Sequence, residues 1–550
     1  MKKLIYFSLF VFNFSLCSAQ SWDWGVQGNN IDINAVEEGF VTSRDNNGNL
    51  FLTGILYGEM ILGTDTINSV NPSYSCAYLV KYDSNGNIKW ARQSVGVNHT
   101  QLARCVATDN VGNSYVTGHF VDTVHFGALT LISPSLSSFV VKYDPLGNVK
   151  WARQSVNYRT NYADAFGVAI DYMGNVYITG SQYDTTLFGT DTLLGHNFFL
   201  IKYDSTGNLL WATTAKGPKG SESLAYAIVA DAAGNTYLTG ELYDTTFFGR
   251  DTINTTGTGF IAKYNSAGHP VWAVPGGSRG YAICIDSAEN VYSTGFYVSS
   301  TVIGNVTLPP PSNANNLYLD KYDSAGKFKW VRYPNNITTT NFPIGYCVTA
   351  DKYCNIYLLG GIGNGFVSVD FGSLNLTIND AYNSAALVKY DSTGNALCGT
   401  MIASAGDDQS GLVADPSGNA VYFGGDLEDT VTFGADHIGT LDGETLCLAK
   451  WKPCNDLETK VQTITHETPE LVVYPNPSSG IFTFQWSVVS CKWSVEVYNV
   501  IGQRVFSSNY SLSTNHYSLN LSDKPSGIYL YRVTKDDSSL IGEGKLIIER

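Results

Sequence analysis

One turn recurs seven times along this chain, and it leaves little choice of architecture. It reads Asp-x-x-Gly-Asn or a close variant, followed by an aromatic residue and then Thr-Gly or a relative, at 45–49, 109–113, 171–175, 231–235, 286–290, 351–355 and 415–419. A period near 60 residues means a stack or ring of similar modules. A second pattern is interleaved with the first. Lys81 is followed by Trp90, Lys142 by Trp151, Lys202 by Trp211, Lys263 by Trp272 and Lys321 by Trp330, always nine residues apart. In the sixth module Lys389 remains, but Cys398 takes the place of the Trp. A spacing without insertions is what a hairpin requires, because a slip of one residue turns every side chain to the wrong face.

The turn chemistry accounts for the spacing. The leading Asp accepts bonds from the backbone amides just ahead of it, and the Gly takes the left-handed conformation that closes a turn with a bulge. The flanks favour strands, as in 139–143 and 149–151. Each module therefore supplies two hairpins, or four strands. The predicted fold is all-β: a seven-bladed β-propeller over residues 20–454, followed by a small C-terminal β-sandwich. A seven-rung solenoid is the rival, although its rungs are usually shorter. Ring closure is expected from the N-terminus. The last module has no fourth strand of its own, and Trp22-Asp23-Trp24 resembles an orphan fourth strand, so residues 21–27 should pair with 445–452 and hide two open edges.

Composition narrows the partners. The 550 residues carry 33 Lys and Arg against 48 Asp and Glu, a net charge of −15 that argues against nucleic acid or anionic lipid. Residues 1–19 read as a signal peptide, with Lys2-Lys3 ahead of an apolar run too short to span a bilayer. No other segment reads as transmembrane. Nine cysteines remain after cleavage, and Cys398 with Cys454 is the one pair worth testing. Cys105 and Cys347 read as small buried apolar residues.

After Cys454 the repeat ends. Residues 455–470 read as a polar linker and 471–550 as a compact β-sandwich. This tail resembles the type A C-terminal sorting domain of the type IX secretion system of Bacteroidetes-type bacteria. The likeness rests on Tyr474-Pro475-Asn476-Pro477, on Gly480, on the Tyr498 to Gln503 block with Gly502, and on Pro525-Ser526-Gly527-Ile528-Tyr529. It implies export across the outer membrane through the secretion machinery, with removal at the linker and release or surface anchoring. The repeats resemble bacterial SBBP propeller repeats, through blocks such as 167–171 and 174–180. That resemblance implies architecture and no agreed activity.

Chemistry is sparse. No Gly-x-Ser-x-Gly elbow, His-Glu-x-x-His or phosphate loop is present. No catalytic residue, metal ligand or cofactor is assigned. Binding is expected on the face carrying the longer connections between strands and modules. The candidates are Tyr158, Arg159, Tyr162, His99, Lys216, Arg279 and Asp407, with tyrosines to stack on sugar rings and arginine to bond hydroxyls or a carboxylate. The expected function is a secreted or surface-displayed binding or adhesion module for a glycan or protein. A polysaccharide-cleaving enzyme with its site on the same face, and a structural surface-layer component, are the alternatives. Recurrent Asp-Thr pairs, at 65–66, 122–123, 191–192 and 251–252, resemble O-glycosylation sites of the same bacterial group.

Overall fold

The computed structural model describes residues 20–30, 37–71, 73–96, 99–157, 161–218, 222–254, 257–312, 314–335, 337, 343–405, 410–439, 445–454, 471–486, 492–499, 503–511, 516–535 and 540–550. The expected signal peptide at 1–19 and linker at 455–470 lie outside these residues. The chain divides into two compact units, Met1–Leu457 and Glu458–Arg550. The described residues form strands, turns and loops without a helix.

In the first unit a four-stranded antiparallel set recurs seven times among the described residues, and the second of these is extended by three short strands into a seven-stranded sheet. The sheet built on Ala163–Ile170, Val176–Gln182, Phe198–Tyr203 and Leu209–Thr214 is typical, with strands in chain order. The first strands of the seven sheets neighbour one another in a circle. Glu37–Arg44 touches Leu102–Thr108, followed in turn by Ala163–Ile170, Ser223–Ala230, Arg279–Ile285, Ile344–Ala350 and Gly411–Ala414, which returns to Glu37–Arg44. The arrangement is propeller-like.

Each repeated turn is held by its own Asp. At Asp231, Oδ1 accepts the amides of Ala233 and Asn235 at 3.0 and 2.8 Å, and Oδ2 accepts the Asn235 side chain at 2.7 Å and the Tyr237 hydroxyl at 3.3 Å. The equivalent tyrosines 115, 177, 292 and 357 bond their turn Asp in the same way. Burial pushes the Tyr115, Tyr177 and Tyr292 hydroxyls well up, and the adjacent carboxylates add to it. These hydroxyls therefore stay protonated as donors.

The nine-residue Lys–Trp spacing fastens one sheet to the next. Lys202 and Trp211 are cross-strand partners, and both donate to the carbonyl of Ser266 in the following sheet, at 3.4 and 3.2 Å. Lys81 and Trp90 converge likewise on the Pro145 carbonyl, and Lys263 and Trp272 on that of Ser324. The Lys202 ammonium also lies 4.8 Å from the Tyr177 ring centre, a favourable cation–π distance. In the sixth sheet Lys389 reaches the Cys454 carbonyl at 3.1 Å, and Cys398 forms a disulfide with Cys454. A covalent bond thus stands where the other sheets use a Trp.

The N-terminal strand takes the missing place in the last sheet. Ser21–Gln27 pairs antiparallel with Thr445–Lys452, and Trp24 faces Lys450 as Trp90 faces Lys81. A Cβ on Gly86 of the first sheet would lie 3.0 Å from the Trp24 ring, as one on Gly268 would from Trp211. The Gly25 amide donates to Asp436 at 3.2 Å, as Ala212 does to Asp191 and Ala273 to Asp251. Lys450 and Lys452 both pair with Asp23, at 3.0 and 2.5 Å.

These Asp–amide bonds account for the Asp-Thr pairs at 65, 191 and 251, while Asp122-Thr123 lies ahead of Phe126 at a different place in its module. Between the second and third strands most modules carry a small hairpin, such as Thr186–Phe188 with Asp191–Leu193, whose Asp bonds the edge of the fourth strand. Thr66, Thr192 and Thr252 are exposed beside it. The repeated Phe-Gly positions Phe126, Phe188, Phe248, Phe371 and Phe433 are buried.

The second unit stands as two sheets. One comprises Leu471–Tyr474, Ile481–Trp486 and His516–Asn520, and the other Arg504–Ser511, Lys492–Asn499, Gly527–Lys535 and Leu540–Ile548. Phe482, Phe484, Val495, Val497, Leu519, Val533 and Leu546 form their common core. The Asn476 side chain donates to the Lys545 carbonyl at 2.5 Å and accepts the Ile547 amide at 2.9 Å, tying the motif to the last strand. Pro475 and Pro477 beside it are exposed. Gly480 has φ +117°, and a Cβ there would meet Ser522 Cα at 2.8 Å. Tyr529 is buried and donates to the Pro525 carbonyl at 2.9 Å. Gly502 lies outside the described residues.

Candidate functional site

The sequence-predicted residues scatter. Tyr158, Arg159 and Asp407 lie outside the described residues. His99 is exposed, 6.0 Å from the Tyr74 ring. Lys216 is exposed, but its backbone is bridged to Phe247 of the next module's small hairpin. It is therefore part of a laced edge rather than a free loop. Tyr162 is half-buried and stacks on Tyr183 at 5.6 Å, and Tyr183 stacks in turn on His196 at 3.6 Å. Arg279 was expected on a loop; it opens the inner strand Arg279–Ile285, because Gly280 pairs with Gly295 and draws the strand's start into register. Cys105 and Cys347 are half-buried rather than fully buried, each just after a break in inner-strand register.

Those breaks build the site. In six of the seven inner strands one residue is skipped in the pairing, between Gly39 and Val41, Ala103 and Cys105, Ala165 and Gly167, Ala225 and Ala227, Gly280 and Ala282, and Gly345 and Cys347. A bulge of this kind re-aims its extra residue. The extra residues are Phe40, Arg104, Phe166, Tyr226, Tyr281 and Tyr346, each five positions ahead of a turn Asp. Neighbouring strands bring Phe166, Tyr226 and Tyr281 together. Phe166 and Tyr226 have ring centres 5.3 Å apart and Tyr226 and Tyr281 5.4 Å, both pairs tilted by 44°. Phe296 extends the row at 5.9 Å from Tyr281. Arg104, Phe166, Tyr226, Tyr281 and Tyr346 are all half-buried. The bulges lie about midway along each inner strand, so the row lies along the inner strands and not on the loops.

Two ion pairs flank the rings. Arg279 Nε donates to Glu241 at 2.5 Å, its Nη1 reaches the Tyr281 hydroxyl at 3.1 Å, and its guanidinium lies 5.6 Å from the Tyr226 and Phe296 ring centres. Burial works against the Arg279 charge, but Glu241 and the tyrosine hydroxyls hold it firmly protonated. At the other end Arg104 pairs with Asp164 at 3.2 Å and lies 5.4 Å from the Phe166 ring, and His119 contacts Asp164 at 2.9 Å. Burial alone would raise the Asp164 pKa, yet His119 and Arg104 bring it below the ordinary value. The Tyr162 hydroxyl is pushed up by burial and by the charges of Glu222 and Asp164.

A groove of about 690 Å³ elsewhere, lined by Leu129, Lys142, Trp151, Arg153 and Ser205, is already occupied by fastening contacts. Lys142 bonds the Ser205 carbonyl and Arg153 that of Gly207. No group of three His, Cys, Asp or Glu residues suited to a metal occurs among the described residues.

Comparison with known proteins defines a class. Residues 472–549 match the family described as the secretion system C-terminal sorting domain. The chain is a secreted all-β protein, exported by the type IX secretion system to the cell surface or the extracellular space. An uncharacterized WD repeat-containing protein of Acanthamoeba polyphaga mimivirus is 24% identical over 483 residues, covering 68% of this chain and 34% of that protein. The chain thus spans about a third of that relative's length. Among solved structures, a protein of unknown function from Dyadobacter fermentans aligns over 79% of this chain and 99% of its own, with 8% identity and a TM-score of 0.37. A fungal alcohol oxidase of the AA5 family, in complex with copper, aligns over 96% of this chain and 100% of its own, with 11% identity and a TM-score of 0.39. Likeness at this level assigns no activity.

Proposed function

We propose that this chain is a surface-displayed or released seven-bladed β-propeller of the SBBP type that works as a binding or adhesion module, taking its ligand along the bulges of the inner strands. The observation that carries this reading is the row of half-buried aromatic residues at successive bulges, three of them in ring contact across adjacent sheets. Aromatic groups with polar partners, gathered where rigid strands converge, are typical of ligand sites. A glycan is the favoured ligand for a secreted protein with this surface chemistry. The test is a glycan-array and polysaccharide-depletion screen of the mature chain, with polymer length measured afterwards. Selective retention at unchanged length is expected. Shortened polymer would make the protein a polysaccharide-cleaving enzyme, and neither retention nor cleavage would move the role to a protein partner or a structural surface layer.

A further inference from the structure

We infer that the bulge residues Phe166, Tyr226 and Tyr281, with the Arg279–Glu241 and Arg104–Asp164 pairs at their two ends, form one subsite for a neutral sugar. This rests on the binding reading above and deepens it. The rings are half-buried, so each leaves part of its surface open. A pyranose offers a C–H face to such rings and hydroxyls around its rim.

The flanking groups match those hydroxyls. Guanidinium groups supply planar donors, carboxylates supply acceptors, and the tyrosine hydroxyls do either. All are fixed in place before a ligand arrives, through Arg279 to Glu241 and Tyr281 and through Arg104 to Asp164. Preorganised contacts lose less free energy on binding.

The charge balance selects the ligand class. Each arginine is matched by a carboxylate within 3.2 Å. A site for uronate, sulfate or phosphate groups needs an excess of cation, and the protein as a whole carries −15.

The experiment measures binding of the full mature chain to neutral polymers (a β-glucan and a mannan) and to acidic ones (alginate and polygalacturonate). Binding is compared with Tyr226→Ala, Tyr281→Ala and Tyr281→Phe. A neutral polymer is expected to bind, with affinity falling about three- to tenfold in each Ala variant, the loss of one aromatic contact, and by less in Tyr281→Phe, which keeps the ring and loses the hydroxyl. Hydroxyl-radical footprinting of the wild-type chain is independent of how the variants fold. A saturating neutral polymer should protect Phe166, Tyr226 and Tyr281 from oxidation.

Neutral binding with these three residues unprotected would overturn the subsite while leaving a glycan-binding function intact. Binding of acidic polymers only would overturn the ligand class. Binding of no polysaccharide would remove the glycan reading itself, and a proline-rich peptide protecting the same rings would assign the row to a protein partner.

Discussion

Asp320 occupies a position where other modules place an aliphatic or small residue: Val80, Val141, Ile201, Ala262, Val388 and Ala449. It is fully buried, and its Oδ1 accepts the Ser293 hydroxyl at 2.7 Å and the Ser293 amide at 3.2 Å. Its other oxygen has no hydrogen-bond partner among the described residues. Burial raises the carboxyl to about 7, from the ordinary Asp value of 3.8. The folded state therefore holds this proton over a range where the unfolded chain has released it. The fold has the full benefit below pH 4 and loses it progressively as pH rises toward 7. Asp320→Asn removes the titration. Urea unfolding at pH 4.5, 5.5 and 7 should show the wild type losing about 2 to 4 kcal/mol relative to the variant across this interval. Parallel pH profiles for the two proteins would mean that Asp320 ionises normally. Asp415, whose Ser417 and Arg44 partners hold its carboxyl below the ordinary value, acts at lower pH with the opposite sign.

At the scale of elements the decisive contact is that of Ser21–Gln27 with Thr445–Lys452. Without that strand the last sheet would present an open edge, and Trp24, Gly25 and Asp23 would each leave a partner behind: Gly86, Asp436 and the Lys450–Lys452 pair. Removing residues 20–28 from the mature chain should lower the melting temperature of the whole first unit, by calorimetry, by more than a single core substitution does. The Cys398–Cys454 disulfide will still fasten the sixth sheet to the seventh, so the defect should begin at the junction of the seventh with the first. An unchanged melting temperature would show that closure contributes nothing. This pairing was legible in the sequence because the turn Asp, the Lys–Trp spacing and the lone Trp24 are fixed by local hydrogen bonding, which repeats faithfully. The ring site was not legible, because a bulge leaves no mark of its own in a strand pattern. A signal did exist: Phe40, Arg104, Phe166, Tyr226, Tyr281 and Tyr346 form one column of the repeat, five residues before the turn. Arg279 belongs to a strand and not to a loop, and its partners are side chains of two sheets.

At the scale of the whole molecule two compact units divide the work. The second carries the export signal, and its matched region, 472–549, covers almost all of it. Its Tyr-Pro-Asn-Pro and Pro-Ser-Gly-Ile-Tyr segments are held from beneath. Asn476 holds the last strand by two bonds, and Tyr529 fixes the Pro525 turn, while Pro475 and Pro477 stand exposed between them. Deleting residues 471–550 should leave the first unit able to fold, because its cores are made entirely of residues before 455. It should also abolish surface delivery, so that the truncated chain accumulates inside the outer membrane. Fractionation with surface protease digestion distinguishes the outcomes. Full loss of surface signal with a protease-resistant core in the periplasm is expected; wild-type amounts at the surface would mean that export information resides in the first unit.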